Sequence, residues 1–259
     1  METLHESIYD HPKYYDLVFG ADCAAEIRLI ERCAERFLSR PLRRGFEPAC
    51  GTGRLLYGLA RRGVDVAGLD LNPRAVTYCN ARLARHGYGE TAWVGDMADF
   101  RVGRKYDLGV NTINSFRHLS SEGAARGHLR SMAGAIRRGG IYLLGIHLTP
   151  TDGEPSETES WSARRGNLAV NTHMWAIDRD VRGRVERFGI RFDVHTPRRQ
   201  VRIEDVLVLR SYTADQFRRL VRGVPEWEIL ETFDFGYDVR VPIEVDGSTE
   251  DVVYVLGRR

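Results

Sequence analysis

The fold is decided by the stretch Glu47-Pro48-Ala49-Cys50-Gly51-Thr52-Gly53-Arg54, in which a short apolar segment runs into a glycine turn. Residues 45–49 have the pattern of a short strand, and residues 54–62 have that of a helix ended by Gly63. Glycines at such a turn allow a ligand to lie close to the backbone. The stretch therefore predicts a strand–turn–helix unit that carries a ligand at its turn.

Strand and helix patterns alternate on both sides of this unit. Helices are predicted over residues 24–38, 72–86, 120–138 and 214–222, and further strands over 64–69, 91–94, 106–110, 141–148, 227–235 and 251–256. Residues 151–159 are polar and predict a loop, after which the segments 167–177, 185–195 and 199–209 alternate with a period near two and predict an antiparallel meander. The predicted fold class is α/β, with a Rossmann-like, mostly parallel seven-stranded sheet, helices on both faces and an antiparallel β insert.

The composition excludes several classes of protein. Of the 259 residues, 42% are hydrophobic, which is enough for a folded core. The 38 basic and 36 acidic residues leave a net charge of +2, and the arginine pairs are scattered along the chain, so we expect no nucleic-acid partner. The four cysteines lack a C-x-x-C spacing, and the first residues lack the pattern of a signal peptide. We therefore expect a soluble cytoplasmic protein with reduced thiols, no metal site and no membrane segment.

The glycine turn can be compared with the dinucleotide-binding pattern G-x-G-x-x-G. Started at position 51, the pattern needs a glycine where Leu56 stands, and started at position 49 it needs glycines in place of Ala49 and Arg54. Neither register is complete, which disfavours a nicotinamide-dependent oxidoreductase but leaves it as an alternative. A glycine turn that only shapes the backbone of an α/β domain also stays open, because a fold alone does not determine function.

Four motifs, in order along the chain, resemble those of the class I S-adenosylmethionine-dependent methyltransferases. Residues 47–53 resemble the first motif, with Ala49 where the family usually has glycine. Residues 66–72 resemble the second motif and Gly95-Asp96-Met97 the third. The segments 106–114 and 138–140 resemble the fourth strand and the glycine break before the fifth. The resemblance covers residues 10–150 most closely and implies S-adenosylmethionine as the cofactor.

The resemblance also implies where the cofactor is held. Asp70, at a strand end, is expected to accept the ribose hydroxyls, Asp96 the adenine amino group, and Glu47 the methionine ammonium group. An aspartate that only caps a turn is the alternative at Asp70 and at Asp96. The residues expected to contact the cofactor are Tyr15, Glu47, Ala49, Cys50, Gly51, Gly53, Arg54, Asp70, Leu71, Asp96, Met97 and Asn111.

The methyl acceptor is expected to be a small molecule. The N-terminal tyrosine segment and the β insert resemble those of small-molecule N-methyltransferases such as the glycine and aminosugar enzymes. An acceptor amine needs little more than deprotonation before it attacks, whereas an acceptor hydroxyl needs a positioned base. The candidate catalytic residues are His118, His147 and Tyr14. A structural histidine or a core tyrosine is the alternative for each of them.

Three regions are expected along the chain. Residues 1–150 form an N-terminal helical cap and the cofactor-binding Rossmann-like core, residues 151–210 the inserted antiparallel β meander, and residues 211–259 the helix and strands that complete the core. Antiparallel edges pair readily with other chains, so the insert is also a candidate homodimer interface. A non-catalytic module that binds the cofactor or a partner protein is the alternative from another class of function. Candidates for the lining of an acceptor pocket are Trp161, Arg164 and Trp175.

Overall fold

The structure of the protein is a computed structural model that describes residues 1–20, 22–152 and 158–259. The helices in these residues are α1 (Pro12–Phe19), α2 (Ala24–Phe37), α3 (Arg54–Ala60), α4 (Pro73–Arg85), α5 (Glu122–Ala135) and α6 (Ala214–Arg222). The strands are β1 (Glu2–His5), β2 (Arg44–Pro48), β3 (Asp65–Asp70), β4 (Ala92–Val94), β5 (Tyr106–Asn111), β6 (Ile136–His147), β7 (Thr158–Arg165), β8 (Leu168–Asp180), β9 (Val185–His195), β10 (Gln200–Arg210), β11 (Trp227–Phe233) and β12 (Asp251–Arg258). Short 3₁₀ turns cover Ile8–Asp10 and Ser115–His118.

Seven of the described strands form the larger sheet, in the order β11-β12-β6-β5-β2-β3-β4. Strands β6, β5, β2, β3 and β4 are parallel, β12 is antiparallel to β6, and β11 is antiparallel to β12. Helices α5 and α6 cover one face of the sheet and helices α2, α3 and α4 the other, and each face buries its own apolar cluster. The predicted Rossmann-like, mostly parallel sheet with helices on both faces is therefore confirmed.

The smaller sheet has the order β1-β10-β9-β8-β7. Strands β7 to β10 form an antiparallel meander, as the alternating pattern predicts. Strand β1 was not predicted, and it lies parallel to β10 with Glu2 opposite Val201. Strand β7 was not predicted either, because most of its side chains are exposed and leave little alternation to detect. The loop predicted at residues 151–159 lies largely outside the described residues.

The junction between α5 and β6 differs from the predicted one. The sequence predicts a helix through Arg138, but α5 ends at Ala135 and the backbone is already extended at Ile136 (φ −84°, ψ 136°). Ile136 is 1% exposed and pairs with Tyr106 of β5. Burial of the isoleucine beside β5 stabilises the strand over another helical turn. The predicted helix end at Arg138 is therefore wrong by three residues.

The N-terminal segment connects the two sheets. Its residues Ile8 and Leu17 pack against Phe192 and Ile203 of the smaller sheet in a third apolar cluster. This packing holds the smaller sheet over the edge where the parallel strands end, which is where open α/β sheets bind their ligands. The division of the chain at residues 150 and 210 stays a prediction. Within the described part of the chain, no helix has both the length and the apolar character needed to cross a membrane.

Candidate active site

A cavity of about 1510 Å³ lies between the carboxyl ends of the parallel strands and the smaller sheet. Its wall is formed by the N-terminal segment, the turn after β2, the ends of β3, β5 and β6, and the strands β7 to β10. Pockets for one drug-sized ligand usually measure roughly 300–1,000 Å³. The cavity therefore has room for two molecules side by side.

The turn after β2 takes the conformation that the glycine pattern predicts. Ala49, Gly51 and Gly53 all have positive φ values, of 53°, 52° and 72°. Gly53 starts α3 and lies against Cys79, so that a Cβ at this position would overlap the Cys79 sulfur. A side chain at Gly53 would therefore push α3 away from α4. Of these three residues only Ala49 has a Cβ, so only Ala49 is sterically strained by a left-handed backbone.

Asp70 lies at the end of β3 and on the cavity wall. Its Oδ2 accepts a hydrogen bond from the Gly51 backbone N–H at 2.8 Å, and its Oδ1 accepts one from the Asn72 N–H at 2.8 Å. Burial raises the pKa of Asp70, and these two hydrogen bonds oppose the rise. A carboxylate has about four acceptor positions, so two remain for a ligand. Asp70 therefore caps the turn and still has acceptor positions for a ribose. The two roles that the sequence left as alternatives, turn capping and ribose binding, are compatible.

Two buried oxygens beside the turn are left without a donor among the described residues. They are Oε2 of Glu47, which is 6% exposed, and Oδ1 of Asn111, which is 2% exposed. The Asn111 Nδ2 group donates a hydrogen bond to the Pro48 carbonyl at 3.1 Å, which holds the Asn111 side chain next to the turn. Burial raises the pKa of Glu47 well above its usual range, although Arg54 opposes this. A positive charge near the turn would favour the ionised form of Glu47.

Arg54 is held away from the cavity. Its guanidinium forms a buried ion pair with Glu26 of α2, with Nη2 and Oε1 2.6 Å apart, and also donates to Thr112 Oγ1 at 3.3 Å. Arg54 is therefore placed to stabilise the charge of Glu47 from behind the turn. The predicted cofactor residues that do not line the cavity are Glu47, Cys50, Gly53, Arg54 and Asn111.

The loop after β4 completes this side of the cavity. Asp96 and Met97 line it, and Asp96 Oδ1 accepts a hydrogen bond from the Ala98 N–H at 2.8 Å. Below the loop, His128 Nδ1 lies 2.9 Å from the Met97 carbonyl oxygen and His128 Nε2 lies 2.8 Å from the Tyr142 hydroxyl. Burial lowers the pKa of His128 to about 4, so the ring is neutral and holds the loop by hydrogen bonds. Leu71, Tyr15, Ala49 and Gly51 also line the cavity.

The N-terminal segment covers the cavity with aromatic rings. Tyr15 lines the cavity, and burial raises its pKa to about 12. Tyr14 points elsewhere: its ring stacks on His11 with centroids 5.9 Å apart, and it packs against the apolar cluster of the smaller sheet. Tyr9, which is not among the predicted site residues, lines the cavity instead. The run of tyrosines from 9 to 15 was the signal that could have identified it.

The two candidate histidines lie on the wall of the same cavity. His147 Nδ1 is 2.9 Å from Asp251 Oδ1, and the His147 backbone N–H donates to Asn114 Oδ1 at 2.7 Å. His118 Nε2 is 2.9 Å from the Tyr9 hydroxyl. Asp251 was missed because it faces His147 only through the pairing of β12 with β6, which a single sequence does not reveal.

The smaller sheet supplies the far wall. Trp161 and Trp175 line the cavity as predicted, whereas Arg164 does not and its Nε donates to the Gly166 carbonyl at 3.1 Å. The wall also contains Arg117, which is 1% exposed and ion-paired with the equally buried Glu186 of β9. This pair joins the turn after β5 to the smaller sheet.

Comparisons with known proteins agree with this geometry. Residues 46–140 match the family model described as a methyltransferase domain. The chain is 29% identical over 199 residues to a dTDP-3-amino-3,4,6-trideoxy-alpha-D-glucopyranose N,N-dimethyltransferase of Streptomyces venezuelae, covering 74% of this chain and 79% of the relative. Two solved structures share the fold. One is an S-adenosylmethionine-dependent methyltransferase from Clostridium acetobutylicum, with a TM-score of 0.77 and 17% identity, covering 96% of this chain and 97% of that one. The other is a sugar N-methyltransferase from Streptoalloteichus, with a TM-score of 0.75 and 18% identity, covering 100% of this chain and 96% of that one.

Proposed function

We propose that this chain, which is a class I S-adenosylmethionine-dependent methyltransferase, methylates an amine nitrogen of a small-molecule acceptor. The observation that carries the proposal is the cavity at the ends of the parallel strands, which has room for two molecules and has Gly51, Asp70 and Asp96 on its wall. The ammonium group of the methionine moiety would lie at the glycine turn, and the buried carboxyl group of Glu47 behind the turn would favour its positive charge. A dinucleotide phosphate in the same place would bring a second negative charge next to Glu47, which is unfavourable in a buried site.

The other cofactor contacts follow from the same wall. Asp70 would accept the ribose hydroxyls with the acceptor positions that its backbone hydrogen bonds leave free. Asp96 and Met97, supported by His128, would hold the adenine. When bound, the cofactor supplies a methyl group on a sulfonium, which an acceptor nitrogen can take by in-line displacement. The protein's part is to hold the nitrogen at near-attack distance and to remove water from around it.

The acceptor that we propose is an amino sugar carried on a nucleotide, which is the substrate in the name of the Streptomyces venezuelae relative. The volume of the cavity allows a molecule of this size beside the cofactor. The far wall offers flat apolar surfaces in Trp161, Trp175 and Phe188 and a partly exposed cationic group in Arg179. Indole and phenyl faces suit sugar and base rings, and guanidinium groups suit a diphosphate.

The proposal is tested in two steps on the full chain. Calorimetry should detect binding of S-adenosylhomocysteine, and mass spectrometry should then detect one or two added methyl groups on the relative's amino-sugar nucleotide when S-adenosylmethionine is supplied. Failure to bind S-adenosylhomocysteine would overturn the whole proposal. Binding without methylation of this acceptor, or of a panel of free amines, would favour the alternative of a non-catalytic module.

We also infer a cytoplasmic homodimer that forms through the outer face of the smaller sheet. Val206 and Val208 are about half exposed there, at 51% and 53%. The four cysteines are free thiols, which suits a reducing compartment. Light scattering should give twice the mass of one chain, and Val206→Asp combined with Val208→Asp should give a monomer with unchanged cofactor affinity. A wild-type monomer at all concentrations would contradict the dimer only.

A further inference from the structure

Tyr9 and His118 meet inside the cavity although 109 residues separate them. The Tyr9 hydroxyl lies 2.9 Å from His118 Nε2, and the two rings meet edge to face with centroids 5.5 Å apart. Both residues line the cavity. A tyrosine and a histidine at hydrogen-bond distance can exchange a proton, so this pair is capable of more than packing.

Three contacts fix Tyr9 and its neighbours in place. The Ile8 backbone N–H donates to Asp205 Oδ2 at 3.0 Å, which fastens the segment before Tyr9 to β10. The Asn72 side chain donates to Asp10 Oδ1 at 2.7 Å, which fastens the segment after Tyr9 to the start of α4. The Tyr9 ring also lies 5.4 Å from that of Tyr15. Tyr9 is therefore held between the proposed cofactor wall and the acceptor side of the cavity.

The surroundings keep both members of the pair neutral. Burial lowers the pKa of His118, the Arg117 guanidinium lowers it further, and Asp205 opposes this. Burial raises the pKa of Tyr9 well above its usual range, and Tyr15, Asp205 and Asp70 add to the rise. At neutral pH the phenol therefore keeps its proton and donates it to an unprotonated imidazole nitrogen. The free lone pairs of the phenol oxygen are left to accept a proton from a ligand.

We propose that Tyr9 and His118 form the proton-accepting pair that deprotonates the acceptor ammonium before methylation. The proposal rests on the proposed function, because it requires an amine acceptor. One N–H bond of the ammonium breaks and its proton passes to the Tyr9 oxygen, while the Tyr9 proton passes to His118 Nε2. The neutral amine keeps the electron pair that then takes the methyl group. The imidazolium left on His118 returns its proton to water through the open side of its ring.

The first test is the pH dependence of methyl transfer to the amino-sugar nucleotide. Tyr9→Phe and His118→Gln should each lower kcat on the order of a hundredfold at pH 7. The loss should shrink towards pH 9.5, because a larger share of the acceptor is then already neutral. Affinity for S-adenosylhomocysteine should not change. Tyr88→Phe, on a tyrosine outside the cavity wall, is the matched control and should behave as wild type.

If the variants lost the same fraction of kcat at every pH, the pair would only support the structure. If kcat were unchanged at every pH, the pair would have no part in catalysis. Either result overturns the proposal. His147→Gln identifies a competing base if it alone shows the pH-dependent loss. If the wild type binds S-adenosylhomocysteine but methylates no amine, the acceptor assignment fails instead.

A second test needs no turnover. Nitrogen NMR of histidine-labelled protein saturated with S-adenosylhomocysteine should show His118 as the neutral form with its proton on Nδ1 at pH 7. Tyr9→Phe should change the Nε2 signal and the pH at which the ring titrates. A His118 ring that is already protonated at pH 7, or one whose titration ignores Tyr9→Phe, contradicts the proposal whatever the acceptor is.

Discussion

The two sides of the cavity are built over very different distances along the chain. The proposed cofactor wall is formed by residues 47–53, 70–72 and 96–97. There, Asp70 accepts hydrogen bonds from Gly51, which is 19 positions away in the sequence, and from Asn72, which is two positions away. On the acceptor wall, formed by Tyr9, residues 115–118 and the inner face of the smaller sheet, the hydrogen bond of Tyr9 spans 109 residues and that of Ile8 spans 197. The cofactor wall is therefore a local product of strand ends and turns, whereas the acceptor wall depends on assembly of the whole chain.

Asp70→Ala should have the largest effect on the cofactor wall. The proposed contacts of Asp70 to the two ribose hydroxyls are charge-assisted and worth roughly 1.5–3 kcal/mol each, so their loss should lower affinity for S-adenosylhomocysteine about a hundredfold or more. The variant should also lose about 1–3 kcal/mol of stability, because the Gly51 and Asn72 N–H groups lose their acceptor. Calorimetry and thermal melts measure the two effects.

The matched control for this variant is Asp65→Ala on the same strand, whose exposed pair with Arg104 contributes little. A variant with normal affinity and lowered stability would show that Asp70 only caps the turn, and would remove it from the cofactor wall.

Arg117→Met should weaken the acceptor wall and leave the cofactor wall intact. The substitution removes one partner of a buried ion pair, and Glu186 keeps Arg179 and Thr149 as partners, so we expect a loss of about 3 kcal/mol of stability. Affinity for S-adenosylhomocysteine should not change. Arg187→Met, which breaks the exposed pair with Asp178, is the control and should cost less than about 1 kcal/mol. If Arg117→Met also weakened cofactor binding, the two walls would not be independent.

Glu47→Gln should show how much the negative charge of Glu47 contributes to cofactor affinity, because the substitution removes the charge and keeps the size of the side chain. The neutral amide should lower affinity for S-adenosylhomocysteine roughly tenfold at pH 8. In the wild type, affinity should rise with pH through the raised pKa of Glu47 and then level off, because the proposed interaction with the ammonium group requires the ionised carboxylate. The variant should lack this rise, which calorimetry across a pH series would detect. Glu35→Gln, at an exposed position, serves as the control and should keep it.

The same substitution has an opposite effect on the ligand-free protein. The folded-state pKa of Glu47 lies above its unfolded value, so the stability it contributes at low pH is lost as pH rises through the folded pKa. Glu47→Gln without ligand should therefore melt at a higher temperature than wild type at pH 8. A lower melting temperature would indicate that Arg54 compensates the buried charge in the free protein.

Ala49→Gly should give the smallest change. Ala49 has a φ of 53°, which glycine adopts without steric cost, so the substitution should stabilise the protein by about 1 kcal/mol and preserve cofactor affinity. Ala81→Gly in the exposed part of α4 should instead destabilise it by about 1 kcal/mol. Thermal melts compare the pair, and a destabilised Ala49→Gly would show that the turn does not store strain.

The elements of the proposed cofactor wall could be predicted from the sequence because the patterns that indicate them lie within short stretches of the chain. The strand at 45–49 and the helix at 54–62 appear as β2 and α3 within one or two residues, and Asp70 and Asp96 lie on the cavity. The roles of the individual site residues stay predictions. The acceptor wall was largely missed: four residues of β1 carry no periodic pattern, and the contacts of Tyr9 and Asp251 arise only when distant strands and turns meet. Tyr14 was chosen over Tyr9 because neighbouring tyrosines are indistinguishable until the segment is packed.

The pairing of β1 with β10 has a consequence for how the chain acquires its structure on the ribosome. Glu2 pairs with Val201, so β1 meets its partner strand only after roughly 200 further residues have been made. At roughly 5–20 residues per second, that delay is on the order of ten to forty seconds. The parallel strands with their glycine turn can assemble during this interval, whereas the smaller sheet can cover the cavity only after β10 has been made.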